Sequence, residues 1–336
     1  MQTPERRAAQ PAAEPDLPDL PELRDVLAAA QRLYGRVLRT PVLQSAAIDT
    51  LCGRRLHFKC ENLQYGGAFK YRGALNAVLQ LAQHPGPSLI ATHSSGNHGL
   101  AVALAARAEG RSALVVMPDN SSAAKLARVR AAGAEVVLCS PGTAAREARL
   151  AGILSDRAAQ VVHPFDDSRV IAGQGTAALE LLADRPQLDA VVAPVGGGGL
   201  IGGTALAVRG LLPQCRVFAA EPELADDAYR SFVGGVRQGA GIPTTIADGL
   251  RGSIGVRNFA LLRRLVDQVV LVSEAEIVAA MRLALDELKL LIEPSAAVAL
   301  AAVVTGRVGR EGDAIGVILS GGNVDLQQCP FLAGAR

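Results

Sequence analysis

An α/β fold built on parallel strands is predicted by three observations: short apolar runs recur along the chain, Ala/Leu-rich stretches long enough for helices separate them, and glycines cluster where the runs end. The runs are 89–92, 113–117, 135–138, 190–195, 217–220 and 314–319. Each is largely continuous in apolar character, which is what a strand covered on both faces requires. Segments 99–109, 122–132, 173–182 and 200–211 supply the helices, being rich in residues that lose little freedom in a helical backbone. Strand and helix therefore alternate. In open sheets of this kind ligands bind beyond the carboxyl ends of the strands, so the residues just after each run are where function is sought.

The bulk properties agree with a ligand-binding globular protein. The 336 residues are 49% apolar, and 34 basic against 32 acidic side chains leave a net charge of +2. Such a chain can bury a large core and has no electrostatic bias toward nucleic acid or membrane. Cys52, Cys60, Cys139, Cys215 and Cys329 are odd in number and lack zinc-ligand spacing, which fits reduced thiols in a cytoplasm. No apolar stretch reaches membrane-spanning length. Residues 1–22 carry five prolines amid mixed charges and read as a flexible tail, without the apolar run of a secretory signal.

Four strand ends carry chemistry. Gly196, Gly197, Gly198 and Gly199 follow the run 190–195 and open a helix, leaving backbone amides free to cradle an anion. A dinucleotide, a nucleotide phosphate or no ligand at all could explain such a turn. The chain lacks GxxxxGK[ST] and lacks an acid placed for a ribose, so a single terminal phosphate fits better. Lys70 sits where a glycine-rich turn feeds a helix, beside Phe69. A solvated helix lysine is the plain alternative; a helix N-terminus and an aromatic face would disfavour its ammonium form, as a Schiff-base nucleophile needs. Ser94, Ser95, Gly96 and Asn97 follow the run 89–92 and offer hydroxyls, an amide and N-terminal N–H groups to a carboxylate or phenolate, or simply cap a helix. His93 and His98, which flank them, read as structural. Ser320 with Gly321, Gly322 and Asn323 follows the run 314–319 and by itself is a turn signal.

Taken together these segments resemble the fold-type II pyridoxal-phosphate family of serine/threonine dehydratases and serine racemases, from about Leu38 to Leu326. The strings that carry the likeness are Lys59-Cys60-Glu61-Asn62-Leu63-Gln64, Ala68-Phe69-Lys70-Tyr71-Arg72-Gly73-Ala74-Leu75-Asn76, Ser94-Ser95-Gly96-Asn97-His98-Gly99, Ile171-Ala172-Gly173-Gln174-Gly175-Thr176, the four glycines, and Ser320-Gly321-Gly322-Asn323-Val324-Asp325. The resemblance implies two open twisted α/β domains with the cofactor between them, residues 23–87 and 163–336 forming the larger and 88–162 the smaller. It implies pyridoxal 5'-phosphate on Lys70, Phe69 against its ring, Asn97 on its phenolic oxygen, the four glycines on its phosphate and Ser320 on its pyridine nitrogen. A hydroxyl there does not enforce a protonated ring, which favours prompt loss of a β leaving group. Ser94, Ser95, Gly96 and Asn97 would bind the substrate carboxylate, with Arg146 near the substrate and Ser95 as a second acid/base on the face opposite Lys70.

The same resemblance assigns Glu221, the Ala225 carbonyl and Asp227 to a Mg2+ or Ca2+ site, against the plain reading of an acidic solvated loop. The expected activity is dehydration and deamination of L-serine or L-threonine to a 2-oxo acid and ammonia. Serine racemization or dehydration of 3-hydroxyaspartate are the alternatives, and a catalytically dead cofactor-binding protein is the non-enzymatic one. The partner is a small amino acid, and a homodimer is expected. With few residues after Leu332, feedback through an appended regulatory domain is not expected. Two departures from the racemase pattern bear on substrate choice: the chain reads Gly249-Leu250-Arg251-Gly252-Ser253-Ile254-Gly255 where racemases commonly show a serine pair, and Tyr71 replaces the usual aliphatic or acidic residue after the lysine.

Overall fold

The computed structural model describes residues 20–326 together with Cys329 and Phe331. The tail read over residues 1–22 therefore lies almost wholly outside the described residues. Ten strands form two sheets among the described residues. β1 (Val42–Leu43), β2 (Arg55–Cys60), β7 (Ala190–Pro194), β8 (Arg216–Pro222), β9 (Gln268–Val272) and β10 (Ala314–Leu319) make the larger, in the order β1-β2-β10-β7-β8-β9. Every pairing in it is parallel except the short edge pair of β1 and β2. β3 (Ile90–His93), β4 (Ala113–Pro118), β5 (Ala134–Cys139) and β6 (Gln160–Val161) make a parallel sheet in the order β5-β4-β3-β6. We propose that the two sheets are the cores of the two domains drawn above.

The apolar runs become strands because helices cover them. The helix Pro294–Val304 is buried along most of its length and packs in the core formed with β2, β7, β8 and β10. The helices Ser168–Asp184 and Gly199–Leu211 cover the other face of the larger sheet. Each helix read from the sequence is present with slightly different ends; the third runs Ser168–Asp184, starting earlier than residue 173 because Asp167 caps it, accepting from Arg169 N–H.

The motif around Gly173 has a packing role. A Cβ on Gly173 would stand 2.6 Å from Gly73 Cα, so helices Ser168–Asp184 and Lys70–Ala82 approach backbone to backbone, which only glycine permits. At that crossing Gln174 Oε1 accepts from Gly73 N–H at 3.1 Å, a side-chain bond that joins the two helices. The start of the helix bearing Lys70 is thereby fixed to its neighbour.

Candidate active site

Lys70 opens its helix, and Phe69 N–H donates to the Ser320 carbonyl at 3.0 Å, pinning the residue before the lysine to the end of β10. Lys70 Nζ donates to the Pro164 carbonyl at 2.8 Å and lies 5.1 Å from the centre of the Phe69 ring. The chain has four lysines, Lys59, Lys70, Lys125 and Lys289. Lys59 pairs with Glu180 at 2.6 Å, Lys125 pairs with Asp248, and Lys289 sits at the surface on the Asp286 carbonyl. Lys70 alone is enclosed without a carboxylate bridge. Burial drives its amine down to about 8, an effect the Glu293 carboxylate only partly offsets.

The four glycines join β7 to the helix Gly199–Leu211. Gly198 has φ +90°, and a Cβ on Gly197 would stand 2.2 Å from Phe165 Cγ, so side chains are excluded from the turn. Asn258 Nδ2 donates to the Gly197 and Phe165 carbonyls, each at 2.8 Å, which fixes the turn from its carbonyl side. The N–H groups of Gly196, Gly197 and Gly198 find no acceptor among the described residues. Unpaired amides at the positive end of a helix suit a phosphate, so the residues present fit the group the sequence implied.

After β3, Ser94 Oγ accepts from Gly96 N–H at 3.1 Å, while the Ser95 hydroxyl has no partner among the described residues. Asn97 is the first residue of the helix Asn97–Ala108, and its Nδ2 donates to both oxygens of Glu293, at 2.8 and 3.0 Å. His98 is buried and its Nε2 contacts the Val162 carbonyl at 3.2 Å, which requires that nitrogen to carry the proton. That is a structural histidine.

His93, Glu147 and His163 bring potential ligand atoms within 4.8 Å of one another. Yet His163 Nδ1 accepts from the N–H groups of Asp166 at 2.9 Å and Phe165 at 3.3 Å, so its proton sits on Nε2 and that nitrogen donates rather than ligates. Burial first, then His163 and Arg146, push His93 down to about 3 and keep it neutral. With the His163 tautomer fixed in this way, the cluster is not set up as a metal centre. Arg146 lies close by, its Nη2 on Thr143 Oγ1 at 2.9 Å and its Nε buried without a partner.

Glu221 is the last residue but one of β8 and Asp227 opens the helix Asp227–Gly234; both carboxylates are buried. Glu221 accepts from Ala228 N–H at 3.0 Å and Tyr229 N–H at 2.7 Å, and Asp227 Oδ2 accepts from Ile254 N–H at 2.8 Å. The plain reading of a solvated loop is not what the structure shows. Burial lifts Glu221 to about 9 and Asp227 to about 6, and Asp227 Oδ1 is buried with no partner. Two enclosed carboxylates with an orphan oxygen fit a hard divalent cation.

Sequence reasoning missed Glu293, Pro164, Phe165 and Asn258. Glu293 precedes a helix with proline at its first turn and so looks like an ordinary cap, although its side chain makes no capping bond and turns inward. No local signal distinguishes the two.

Residues 33–321 match the family described as pyridoxal-phosphate dependent enzyme. The chain is 44% identical over 312 residues to the beta-hydroxyaspartate dehydratase of Paracoccus denitrificans (strain Pd 1222), covering 93% of this chain and 99% of that one. Among solved structures, maize serine racemase superposes with a TM-score of 0.89 at 39% identity, covering 92% and 95% of the two chains. A threonine deaminase from T.th. does so with a TM-score of 0.86 at 44% identity, covering 91% and 99%. Match length, identity and the lysine and glycine geometry point the same way: the chain belongs to the pyridoxal-phosphate dependent enzymes, in the fold-type II group of serine/threonine dehydratases and serine racemases.

Proposed function

We propose that this enzyme removes water from a small β-hydroxy amino acid, L-serine or L-threonine, that the dehydrated product then takes up water to give a 2-oxo acid and ammonia, and that Lys70 is the base of the first step. The observation that carries the reading is the Lys70 amine, lowered to about 8 by burial and held on the Pro164 carbonyl, at strand ends that also carry Ser94, Ser95, Asn97 and the glycine turn. Pyridoxal phosphate, when bound, supplies the electron sink that acidifies the α C–H bond. Gly196, Gly197, Gly198 and Gly199 would hold its phosphate, Phe69 its ring, Ser320 its pyridine nitrogen and Asn97 its phenolic oxygen. Lys70 takes the α proton, and the β hydroxyl leaves as water after receiving a proton from an acid near the cofactor phosphate. Ser94, Ser95, Gly96 and Asn97 would receive the substrate carboxylate.

Two further readings have an observation each. The unpartnered Ser95 hydroxyl is available as a second acid/base, which favours a racemase side activity. The buried, unpartnered Nε of Arg146 favours a second carboxylate on the substrate, as in 3-hydroxyaspartate, the compound named for the Paracoccus relative. A substrate panel separates them. L-Serine and L-threonine are expected to yield 2-oxo acid and ammonia; enantiomer exchange alone establishes the racemase, and turnover of threo-3-hydroxyaspartate alone establishes the dicarboxylate reading.

Because the Lys70 amine is half in its free form near pH 8, capture of pyridoxal phosphate by the cofactor-free enzyme rises with pH up to about 8 and then levels. A lysine at its ordinary value would keep gaining rate beyond about pH 10. Stopped-flow absorbance against pH measures the difference.

Glu221, the Ala225 carbonyl and Asp227 would bind Mg2+ or Ca2+. A cation held only by the folded state stabilises it by mass action, so a chelator is expected to lower the melting temperature by about 3–6 °C, restored on adding back the metal.

A further inference from the structure

Asn97 is held at both ends. One Nδ2–H straddles the Glu293 carboxylate at 2.8 and 3.0 Å, and Oδ1 accepts from Asn323 Nδ2 at 2.8 Å. Asn323 is itself fixed: its Nδ2 also donates to the Gly66 carbonyl at 2.7 Å, its N–H donates to Glu293 Oε2 at 3.2 Å, and its Oδ1 accepts from Arg128 Nη1 at 2.7 Å. The bonds run Arg128 to Asn323 to Asn97 to Glu293, from the largely exposed helix Ala123–Ala131 to a buried carboxylate. Rotating the Asn97 amide by half a turn would set its oxygen against the Glu293 carboxylate and its NH2 against the Asn323 NH2. Both contacts would be repulsive, so one orientation is enforced.

This arrangement is costly to the fold. Glu293 is only 6% exposed, makes no salt bridge among the described residues, and has a glycine beside it because a Cβ on Gly321 would lie 2.5 Å from its Oε1. A buried, unbridged carboxylate destabilises a protein relative to an apolar side chain of similar size, so its presence calls for a use. Burial lifts it to about 7, with Asp248 adding to the rise and the Asn97 bond and Lys125 opposing it.

We propose that Glu293 is a positioning residue for Asn97, fixing the amide so that its remaining Nδ2–H stays the donor to the cofactor's phenolic oxygen. The proposal rests on the reading of Asn97 given above. Its components come from chain segments far apart, and Arg128 ties them to the helix Ala123–Ala131.

The test is a double-mutant cycle with Glu293→Gln, Asn97→Ala and the pair. In the cofactor-free protein, the Asn97 side-chain amide is read by 15N spectroscopy, and its hydrogen exchange is expected to quicken at least ~10-fold in Glu293→Gln. In the loaded enzyme, Glu293→Gln is expected to shift the visible absorption band and lower kcat/KM by ~10–100-fold with Asn97 present, but by less than ~3-fold in the Asn97→Ala background. Glu293→Asp, which keeps the charge, should fall between parent and Glu293→Gln in amide exchange, and covers the case in which Glu293→Gln folds poorly. Equal fold-losses in both backgrounds, or unaltered amide exchange in Glu293→Gln and Glu293→Asp, overturn the proposal alone. An Asn97→Ala enzyme with an unaltered band overturns the reading of Asn97 and the proposal with it.

Discussion

Lys70→Ala abolishes turnover and the visible absorbance of bound cofactor together, with kcat/KM expected to fall by at least ~10^4-fold. No other amine can stand in. Of the three remaining lysines, Lys59 is tied to Glu180 in the core, Lys125 is paired with Asp248, and Lys289 is at the surface. The glycine turn and Phe69 are untouched by the substitution, so cofactor should still dock weakly through its phosphate. Equilibrium dialysis then reports binding without the colour of the lysine adduct. A Lys70→Ala enzyme that releases ammonia at the parent rate would remove the proposed base. Lys70→Arg is the sharper control, because it restores charge and length but not a titratable amine.

What could be read from the sequence followed the range of the interactions. Strand β10 and its turn, the four glycines before the helix Gly199–Leu211, and Lys70 at a helix start are local features, recorded in runs of a few residues. The dehydratase and racemase family was legible because several such runs occur in one order. β1, β2, β6 and β9 were not anticipated: β1 and β6 are only two residues long, β2 interleaves arginine, histidine and lysine with its apolar residues, and β9 lacks a chemically marked strand end. Long-range pairings were also hidden. Glu293 meets Asn97 across 196 positions, and Lys125 meets Asp248 across 123, and neither acid announces its partner locally. The strings around Lys59 and Arg72 were recognised only by likeness, and the structure supplies their physical reason.

That reason gives the second large effect. Arg72 and Glu61 are fully buried, with Arg72 Nε on Glu61 Oε2 at 2.7 Å and Arg72 Nη1 on Glu180 Oε1 at 2.8 Å. Lys59 joins through Glu180, and Thr40 Oγ1 donates to Glu61 Oε1 at 2.6 Å. Arg72 lies two residues after Lys70, so the network anchors the helix that carries Lys70. Truncating one member strands a charge in the core, and Arg72→Ala is expected to cost about 3–5 kcal/mol, lowering the melting temperature by roughly 6–15 °C. Burial alone would raise the Glu61 carboxyl; the Arg72 guanidinium and its hydrogen bonds, with Lys59 and Thr40, outweigh it and hold the group below the usual carboxylate range. A carboxylate depressed in the folded state adds stability above its unfolded value, near pH 4.5, and loses it as pH falls through the folded value. Arg72→Ala reverses the sign. Glu61 then sits buried without its cation, its pKa rises above the unfolded value, and the variant should gain relative stability as pH drops from about 7 toward 4.5. Thermal unfolding of both proteins across that range decides the matter: a stability difference that does not narrow on acidification would mean that Glu61 is not the charge Arg72 neutralises.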